Sequence, residues 1–242
     1  MADLVHVLWV ALRDALLAAL AVLLPVDCGG CGQPGAGFCS GCRDALRPHP
    51  ALVGALPDAA PPVMAALRYE GAVAAALRRY KDAGRLDLAR ALAPPLRASI
   101  VELWPVVTRG GDPPPEMLAV PASRAALRRR GYAPVARLLR CAGVRAAPGV
   151  RLELTRRVSD QAGLGRDERR ANVSGAMRAI GARGRRFVLV DDVVTTGATL
   201  TEAARAVTEA GGRVVGAACL AWAGRRLPTT SGTPGDRTAN DQ

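Results

Sequence analysis

The chain has 242 residues, half of them apolar but only 3% aromatic, and a formal net charge of +12. This length can bury a sizeable core, and the composition excludes a core built on aromatic rings, which leaves Ala, Leu and Val. The excess of arginine favours anionic partners such as phosphates, nucleotides or nucleic acid. A GC-rich genome would give the same bias toward Ala and Arg, so charge alone does not decide the function.

The first element is the apolar run LVHVLWVALRDALLAALAVLLP. It lacks the basic start of a signal peptide, and Arg13 and Asp14 interrupt it. The uninterrupted part, residues 15–24, is too short to cross a bilayer. We therefore predict a packed amphipathic helix that ends at Pro25, in a cytoplasmic protein without a transmembrane segment. A helix lying in a membrane interface is the alternative.

The next feature is the stretch CGGCGQPGAGFCSGC, which contains two Cys-x2-Cys pairs separated by seven residues. A two-residue spacer with glycine lets two thiolates reach one ion, and two such knuckles complete a closed tetrahedral site. The pattern predicts a structural zinc ion held by Cys28, Cys31, Cys39 and Cys42. Disulfides are the alternative, disfavoured because no export signal is present. We expect the other two cysteines, Cys141 and Cys219, to be core thiols.

Four parts are predicted along the chain: the helix and zinc knuckle (1–47), a Pro- and Ala-rich linker (48–61), a larger domain (62–223) and a disordered polar tail (224–242). In the larger domain, the segments VMAALRY, MLAVP, RFVLVDD and RVVGAACLAWA are typical of buried strands. Helical patterns lie between them, in GAVAAALRRYKDAG, LDLARALAPPLRASIVELW, PVARLLRCAG and ATLTEAARAVTEAGG. This alternation predicts an α/β fold, with a mostly parallel sheet, flanking helices and right-handed crossovers.

The stretch FVLVDDVVTTGATL combines a buried strand, two acids and a turn rich in Thr and Gly before a helix. Ligands of parallel sheets bind at the carboxyl ends of the strands, where Asp191 and Asp192 are expected. A helix start with Thr hydroxyls suits a phosphate, and Gly197 permits its close approach. The carboxylates suit diol hydroxyls or hydrated magnesium, so the whole fits a phosphorylated sugar. A P-loop is excluded, because no Gly-Lys-Ser/Thr follows.

This stretch resembles the thirteen-residue motif that binds phosphoribosyl pyrophosphate (PRPP) in type I phosphoribosyltransferases. The resemblance implies that Asp191 and Asp192 contact the ribose hydroxyls of PRPP, which is bound with magnesium. It also implies that the 5′-phosphate is held by Thr195, Thr196, Gly197, Ala198 and Thr199.

The rest of the chain, from about residue 5 to 222, resembles the ComF family, competence-associated proteins in which a four-cysteine knuckle precedes such a domain. The segment RYEGAVAAALRRYKDAGR places Lys81 at the family's lysine, and AVPASRAALRRRGY resembles its Val-Pro strand and basic loop. A third segment matches through Gln161, Leu164, Arg169 and Asn172. Departures are Tyr132-Ala133-Pro134, where the family often has Phe-Asn-Gln, Met177 for its usual Phe, and a single set of four cysteines.

By this resemblance, the pyrophosphate of PRPP would be received by the turn after AVP, with arginines 128–130 nearby and Lys81 contributing. That turn comprises Ala122, Ser123 and Arg124. Segment 156–170 corresponds to the flexible hood of type I enzymes, which closes over the site and excludes water. A solvated basic loop, or a solvated helix face for 128–130, is the alternative. Candidate catalytic residues are Arg124, Arg166 and Arg169.

Three functions remain open from the sequence. The first is a transferase that displaces pyrophosphate from PRPP by a nitrogen nucleophile, although no element for recognising a base is identifiable. The second is a PRPP-sensing regulator without turnover. The third is an accessory protein that binds single-stranded DNA, although few aromatics are available for stacking. The family resemblance implies a role in DNA uptake or nucleotide metabolism, with competence-machinery proteins as possible partners.

Overall fold

The computed structural model describes residues 27–35, 37–56, 61–109, 111–155 and 174–224. The predicted N-terminal helix, the hood segment and nearly all of the predicted tail lie outside these ranges. So do five residues singled out above, namely Gln161, Leu164, Arg166, Arg169 and Asn172. Within the described ranges, no helix is both long and apolar enough to cross a membrane.

A five-stranded sheet forms the centre of the fold, with strand order β1-β2-β7-β6-β3. Strand β1 is antiparallel to β2, and the other three pairings are parallel, which confirms the mostly parallel sheet. The segment predicted to be a linker thus contributes the edge strand β1. The sequence did not predict this strand, because the strand is short, its surroundings are rich in Pro and Ala, and it depends on pairing with β2. The strands are β1 Ala51–Ala55, β2 Pro62–Arg68, β3 Glu116–Ala119, β6 Arg186–Val194 and β7 Arg213–Trp222.

Helices connect the strands at the places that the sequence pattern indicated. The basic segment after β3, predicted as a turn, is also helical, in agreement with the alternative of a solvated helix face for residues 128–130. Ser123 starts a helix there, because its hydroxyl accepts a hydrogen bond from Ala126 N at 3.1 Å. Gly131 ends it with a φ of 73°. The helices are α1 Ser40–Asp44, α2 Gly71–Asp82, α3 Ala89–Val107, α4 Arg124–Arg130, α5 Pro134–Cys141 and α6 Ala198–Glu209, and a 3-10 turn spans Leu86–Leu88.

Helices cover both faces of the sheet. On one face, α3 packs against β2, β7 and α5. Gly216 of β7 allows this close approach, because a Cβ there would lie 3.0 Å from a Val107 methyl group. The buried Ser99 hydroxyl donates to the carbonyl of Cys219 at 2.8 Å, which joins α3 to the sheet.

On the other face, α6 packs against β6 and β7 and against a small antiparallel hairpin. The hairpin consists of β4 Arg151–Leu154 and β5 Met177–Ile180 and flanks the segment predicted to be a hood. Buried Glu202 of α6 anchors it, because its carboxylate accepts from Met177 N at 2.8 Å and pairs with Arg205. The sequence did not predict this hairpin, because its strands are short and polar.

Candidate functional site

Strand β6 carries the paired acids just beyond the point where its neighbour β3 leaves the sheet. The pairing between these two strands extends to Ala119 and Val190, and Val120 N donates to the carbonyl of Val190 at 2.9 Å. On its other side, β6 stays paired with β7 as far as Val194. The acids therefore lie inside the last part of a strand, whereas the sequence suggested that the strand ends at them. On the side of β3, the strand pairing of β6 stops before the two acids.

The two carboxylates have different surroundings. Asp192 is 7% exposed, and its Oδ1 lies 2.7 Å from the Nζ of Lys81 on α2. Asp191 is half-buried, and its Oδ1 accepts a hydrogen bond from the backbone N–H of Asp192 at 2.8 Å. The structure thus brings together three residues that the sequence placed at the site, from two elements more than 100 residues apart.

The charges of this cluster alter two pKa values. Burial, followed by the negative charge of Asp192, raises the pKa of Asp191 to about 8. For Lys81, burial lowers the pKa, but the charge of Asp192 and the hydrogen bond to it outweigh burial, and the net pKa is raised. Lys81 is therefore a cation at neutral pH, and the cluster can present a positive group and an ionisable carboxyl side by side.

The turn from β6 into α6 has the geometry of an anion-binding helix start. Gly197 is the residue before the helix and has a φ of 77°, a left-handed conformation that other residues adopt with strain. The first N–H groups of a helix lack intrahelical acceptors and carry its positive dipole end. Thr195 is exposed and Thr196 and Thr199 are half-buried, whereas Gly197 and Ala198 are buried. The Thr196 hydroxyl accepts a hydrogen bond from Ala198 N at 3.4 Å, and no such contact engages Thr195 or Thr199 within the described residues.

The predicted pyrophosphate loop follows β3 and begins beside β6, where Val120 N donates to the carbonyl of Val190. Ala122 and Ser123 are half-buried, and Arg124 is exposed. The Ser123 hydroxyl is used to cap α4. Of the three arginines that follow, Arg130 is paired with Asp82 at 2.8 Å, whereas Arg128 and Arg129 are exposed. The predicted phosphate contacts of this loop thus depend on Arg124 and its backbone more than on Arg130.

Two tyrosines connect the turn between α4 and α5 to α2, a contact that the sequence did not reveal. The Tyr132 hydroxyl donates to the carbonyl of Tyr80, and the Tyr80 hydroxyl donates to the carbonyl of Pro134 at 2.9 Å. The two ring centroids are 5.7 Å apart. Tyr80 immediately precedes Lys81, so these bonds fix the end of α2 that carries the lysine. Tyr132 and Pro134, two of the residues at which the sequence departs from the ComF pattern, therefore contribute the contacts that hold this end of α2.

The four cysteines of the knuckle converge on one point. Their sulfur atoms all lie within 4.8 Å of one another, and Cys31 Sγ is 3.8 Å from Cys39 Sγ. Four sulfurs held about 2.3 Å from a central ion would be about 3.8 Å apart, so the arrangement fits tetrahedral zinc. All six cysteines are free thiols in this structure. The pKa shifts within the cluster oppose each other: burial, followed by hydrogen bonds with the other cysteines, raises the pKa of Cys42 to about 12. Burial raises the pKa of Cys28, but N–H groups led by that of Cys39 outweigh it and lower the pKa to about 6.

The remaining two cysteines differ from each other. Cys219 is fully buried in β7, as expected for a core thiol, whereas Cys141 is exposed. The prediction for Cys141 was wrong, because this residue is the last of α5 and lies on the side of that helix turned away from the core.

Arg79 docks the knuckle on α2. Its Nη1 atom lies 3.0, 2.8 and 2.7 Å from the carbonyl oxygens of Cys28, Gly29 and Gly30. The knuckle packs closely here, since a Cβ on Gly30 would lie 2.5 Å from Cys42 Sγ. Lys81 follows Arg79 by two residues on the same helix, so α2 contacts both the four-cysteine cluster and the acid pair. The sequence did not single out Arg79, because no local pattern indicates which distant carbonyl groups an arginine will reach.

Comparison with known proteins gives one positive result. Residues 125–231 match the family model of the phosphoribosyl transferase domain, and no curated protein matches the chain. The matched segment contains β6, the acid pair, α6 and β7, whereas β1, β2 and β3 of the same sheet precede it. The similarity to a phosphoribosyl transferase domain therefore covers the acid pair and the turn that follows it.

Proposed function

We propose that this protein binds PRPP, or a closely related phosphoribosyl ligand, together with magnesium at the carboxyl end of β6. Asp191 and Asp192 contact the ribose hydroxyls, and the turn from Thr195 to Thr199 holds the 5′-phosphate. The loop of Ala122, Ser123 and Arg124, with Lys81 beside it, receives the pyrophosphate.

One observation carries this proposal: the acid pair and the left-handed Gly197 turn lie in one strand-to-helix connection, and Lys81 is 2.7 Å from Asp192. A sugar phosphate needs a donor-rich cradle at one end and acceptors for its hydroxyls a few ångströms away. The connection from β6 to α6 supplies both within nine residues, from 191 to 199. The ammonium of Lys81 adds a positive charge that a pyrophosphate group can share.

We further propose that the protein is a ComF-like member of the phosphoribosyltransferase superfamily, with a role in DNA uptake or nucleotide metabolism. The four-cysteine cluster supports this assignment, because its sulfurs have the spacing of a closed, structural zinc site. Zinc held there by Cys28, Cys31, Cys39 and Cys42 would stabilise the knuckle against α2. Magnesium would accompany PRPP and neutralise its pyrophosphate.

Calorimetric titration of the zinc-loaded full chain with PRPP and magnesium tests the proposal. We expect saturable binding that is lost in the Asp191→Asn/Asp192→Asn variant. The matched control is Asp44→Asn/Asp112→Asn, which removes the same charge from two exposed, ion-paired surface residues. Binding that survives in the acid-pair variant, or that falls equally in both, would refute the assignment of the site.

Incubation of the same protein with PRPP and a panel of nucleobases and amines then separates a transferase from a sensor. Release of pyrophosphate that depends on one acceptor would identify a transferase, and saturable binding without release would identify a regulator. Binding of a single-stranded oligonucleotide that is steeply salt-dependent and unaffected by PRPP would favour the DNA-binding alternative.

A further inference from the structure

A basic pocket, separate from the acid pair, lies on the helical face that α3 and α5 form. Its volume is about 440 Å³. The 3-10 turn, the first residues of α3 and the outer side of α5 enclose it. None of its lining residues belongs to the turn after β6, the loop after β3 or the cysteine cluster. They are Leu86, Asp87, Arg90, Arg137, Arg140 and Cys141.

The pocket has an uncompensated positive charge. Its one acid, Asp87, is held by Arg85, whose Nε and Nη2 atoms lie 2.9 and 2.8 Å from the two carboxylate oxygens. In the described part of the chain, none of the three lining arginines forms an ion pair. The Nε atom of Arg137 is buried there and has no hydrogen-bond partner. This atom has almost no accessible surface, so an anion in the pocket would be bound by the other donors of the three guanidinium groups, which lack carboxylate partners within the described residues.

We propose that this pocket binds the phosphate group of a small phosphorylated ligand, at a site separate from the acid pair. Guanidinium groups present paired donors that match phosphate oxygens, and three of them meet here. The volume is in the range of small-molecule sites, roughly 300 to 1,000 Å³. A concave pocket of this size suits a compact phosphorylated molecule better than the backbone of an extended nucleic acid. The proposal does not depend on PRPP binding at Asp191 and Asp192.

Cys141 provides a reporter inside the pocket. It is exposed, whereas Cys219 is buried and the others belong to the four-cysteine cluster. In the zinc-loaded full chain, the rate at which N-ethylmaleimide alkylates Cys141 can be followed by mass spectrometry of its peptide. This reagent is neutral, so the pocket charge does not attract it. We expect inorganic pyrophosphate to slow alkylation saturably, by about tenfold at roughly ten times its Kd, compared with sodium chloride at matched ionic strength.

Two double variants test the role of the arginines. Arg90→Gln/Arg140→Gln changes two exposed pocket residues, and Arg183→Gln/Arg213→Gln removes the same charge at exposed positions near the amino ends of β6 and β7. We expect the first to raise the Kd for pyrophosphate at least about tenfold, as loss of charge-assisted hydrogen bonds does, and the second to change it less than twofold. Arg137→Gln should also weaken protection, with its fold checked by thermal unfolding. Equal effects of the two double variants would overturn the proposal.

Replacing pyrophosphate with a nucleoside triphosphate or with a single-stranded oligonucleotide distinguishes a small phosphorylated ligand from a nucleic acid. Protection by the triphosphate supports the small-ligand site. Protection by the oligonucleotide alone, or no protection by pyrophosphate at millimolar concentration, would overturn it. The Asp191→Asn/Asp192→Asn variant should retain protection of Cys141, which separates failure at this pocket from failure at the acid pair.

Discussion

Replacement of Arg79 by glutamine should release the cysteine knuckle from α2. The guanidinium contacts three carbonyl oxygens of the knuckle, all on buried residues. The carbonyl of Cys28 also accepts from Gly32 N at 2.9 Å. Within the described part of the chain, the carbonyls of Gly29 and Gly30 have only Arg79. The variant therefore leaves two buried acceptors without a donor.

The expected loss of stability follows from the number of carbonyl oxygens that are left without a donor. Each buried acceptor left unsatisfied costs about 1–3 kcal/mol, so two give about 2–6 kcal/mol. Arg79 is only half-buried, and water that reaches its place will recover part of the loss. We therefore expect the Arg79→Gln variant to lose about 2–4 kcal/mol of the free energy that docks the knuckle. The rate of zinc release should rise by more than tenfold, because 1.4 kcal/mol corresponds to a factor of ten.

The assay is transfer of zinc from the full chain to a chromogenic chelator, together with unfolding by denaturant. The neighbouring Arg78 is exposed, and Arg78→Gln removes the same charge from the same helix. We expect that control to match the parent protein within about 0.5 kcal/mol. If Arg79→Gln and Arg78→Gln release zinc at the same rate, the three carbonyl contacts do not hold the knuckle, and the reasoning fails.

Three further predictions concern the acid pair and its turn. Lys81→Met should lower the free energy of unfolding by about 1–3 kcal/mol, because it leaves the buried Asp192 carboxylate without its partner while the lysine itself is partly exposed. Adding Asp192→Asn to this variant should recover much of the lost stability. Additive losses from the two substitutions would contradict the pairing. The raised pKa of Asp191 means that the folded protein binds this proton more tightly than the unfolded chain. Its contribution to stability is therefore complete below the ordinary pKa of 3.8 and is lost as the pH rises through about 8. The Tm of Asp191→Asn should accordingly rise relative to that of the parent protein between pH 5 and 8, and the difference should be constant above pH 8. A Tm difference that does not change with pH would exclude the raised pKa of Asp191. Gly197→Ala should lower the free energy of unfolding by about 1–2 kcal/mol, because Gly197 has a left-handed φ of 77°. Denaturant unfolding measures this loss, and the control is Gly37→Ala, whose added Cβ meets no neighbouring atom. Equal stabilities of the two variants would show that the turn relaxes.

The most regular parts of the fold could be predicted because their signals are local. The strands VMAALRY and RFVLVDD are short apolar runs, and the helix that begins after Gly197 has a periodic apolar face, so each was recognisable without its neighbours. The cysteine spacing predicted one cluster, since the knuckle turns are themselves local. By contrast, β1 and the β4–β5 hairpin were missed, because a short or polar strand is stabilised by its partner strand more than by its own sequence.

The sequence by itself determined the alternation of the main strands and helices, the four-cysteine cluster, and the association of Asp191, Asp192 and Gly197 near one strand-to-helix connection. Only the tertiary structure decided which distant side chains meet there. Lys81 reaches Asp192, Arg79 holds the knuckle, and Tyr80 ties α2 to the start of α5. Those contacts join residues from different elements, and their partners are fixed by how helices pack on the sheet, which no local pattern encodes.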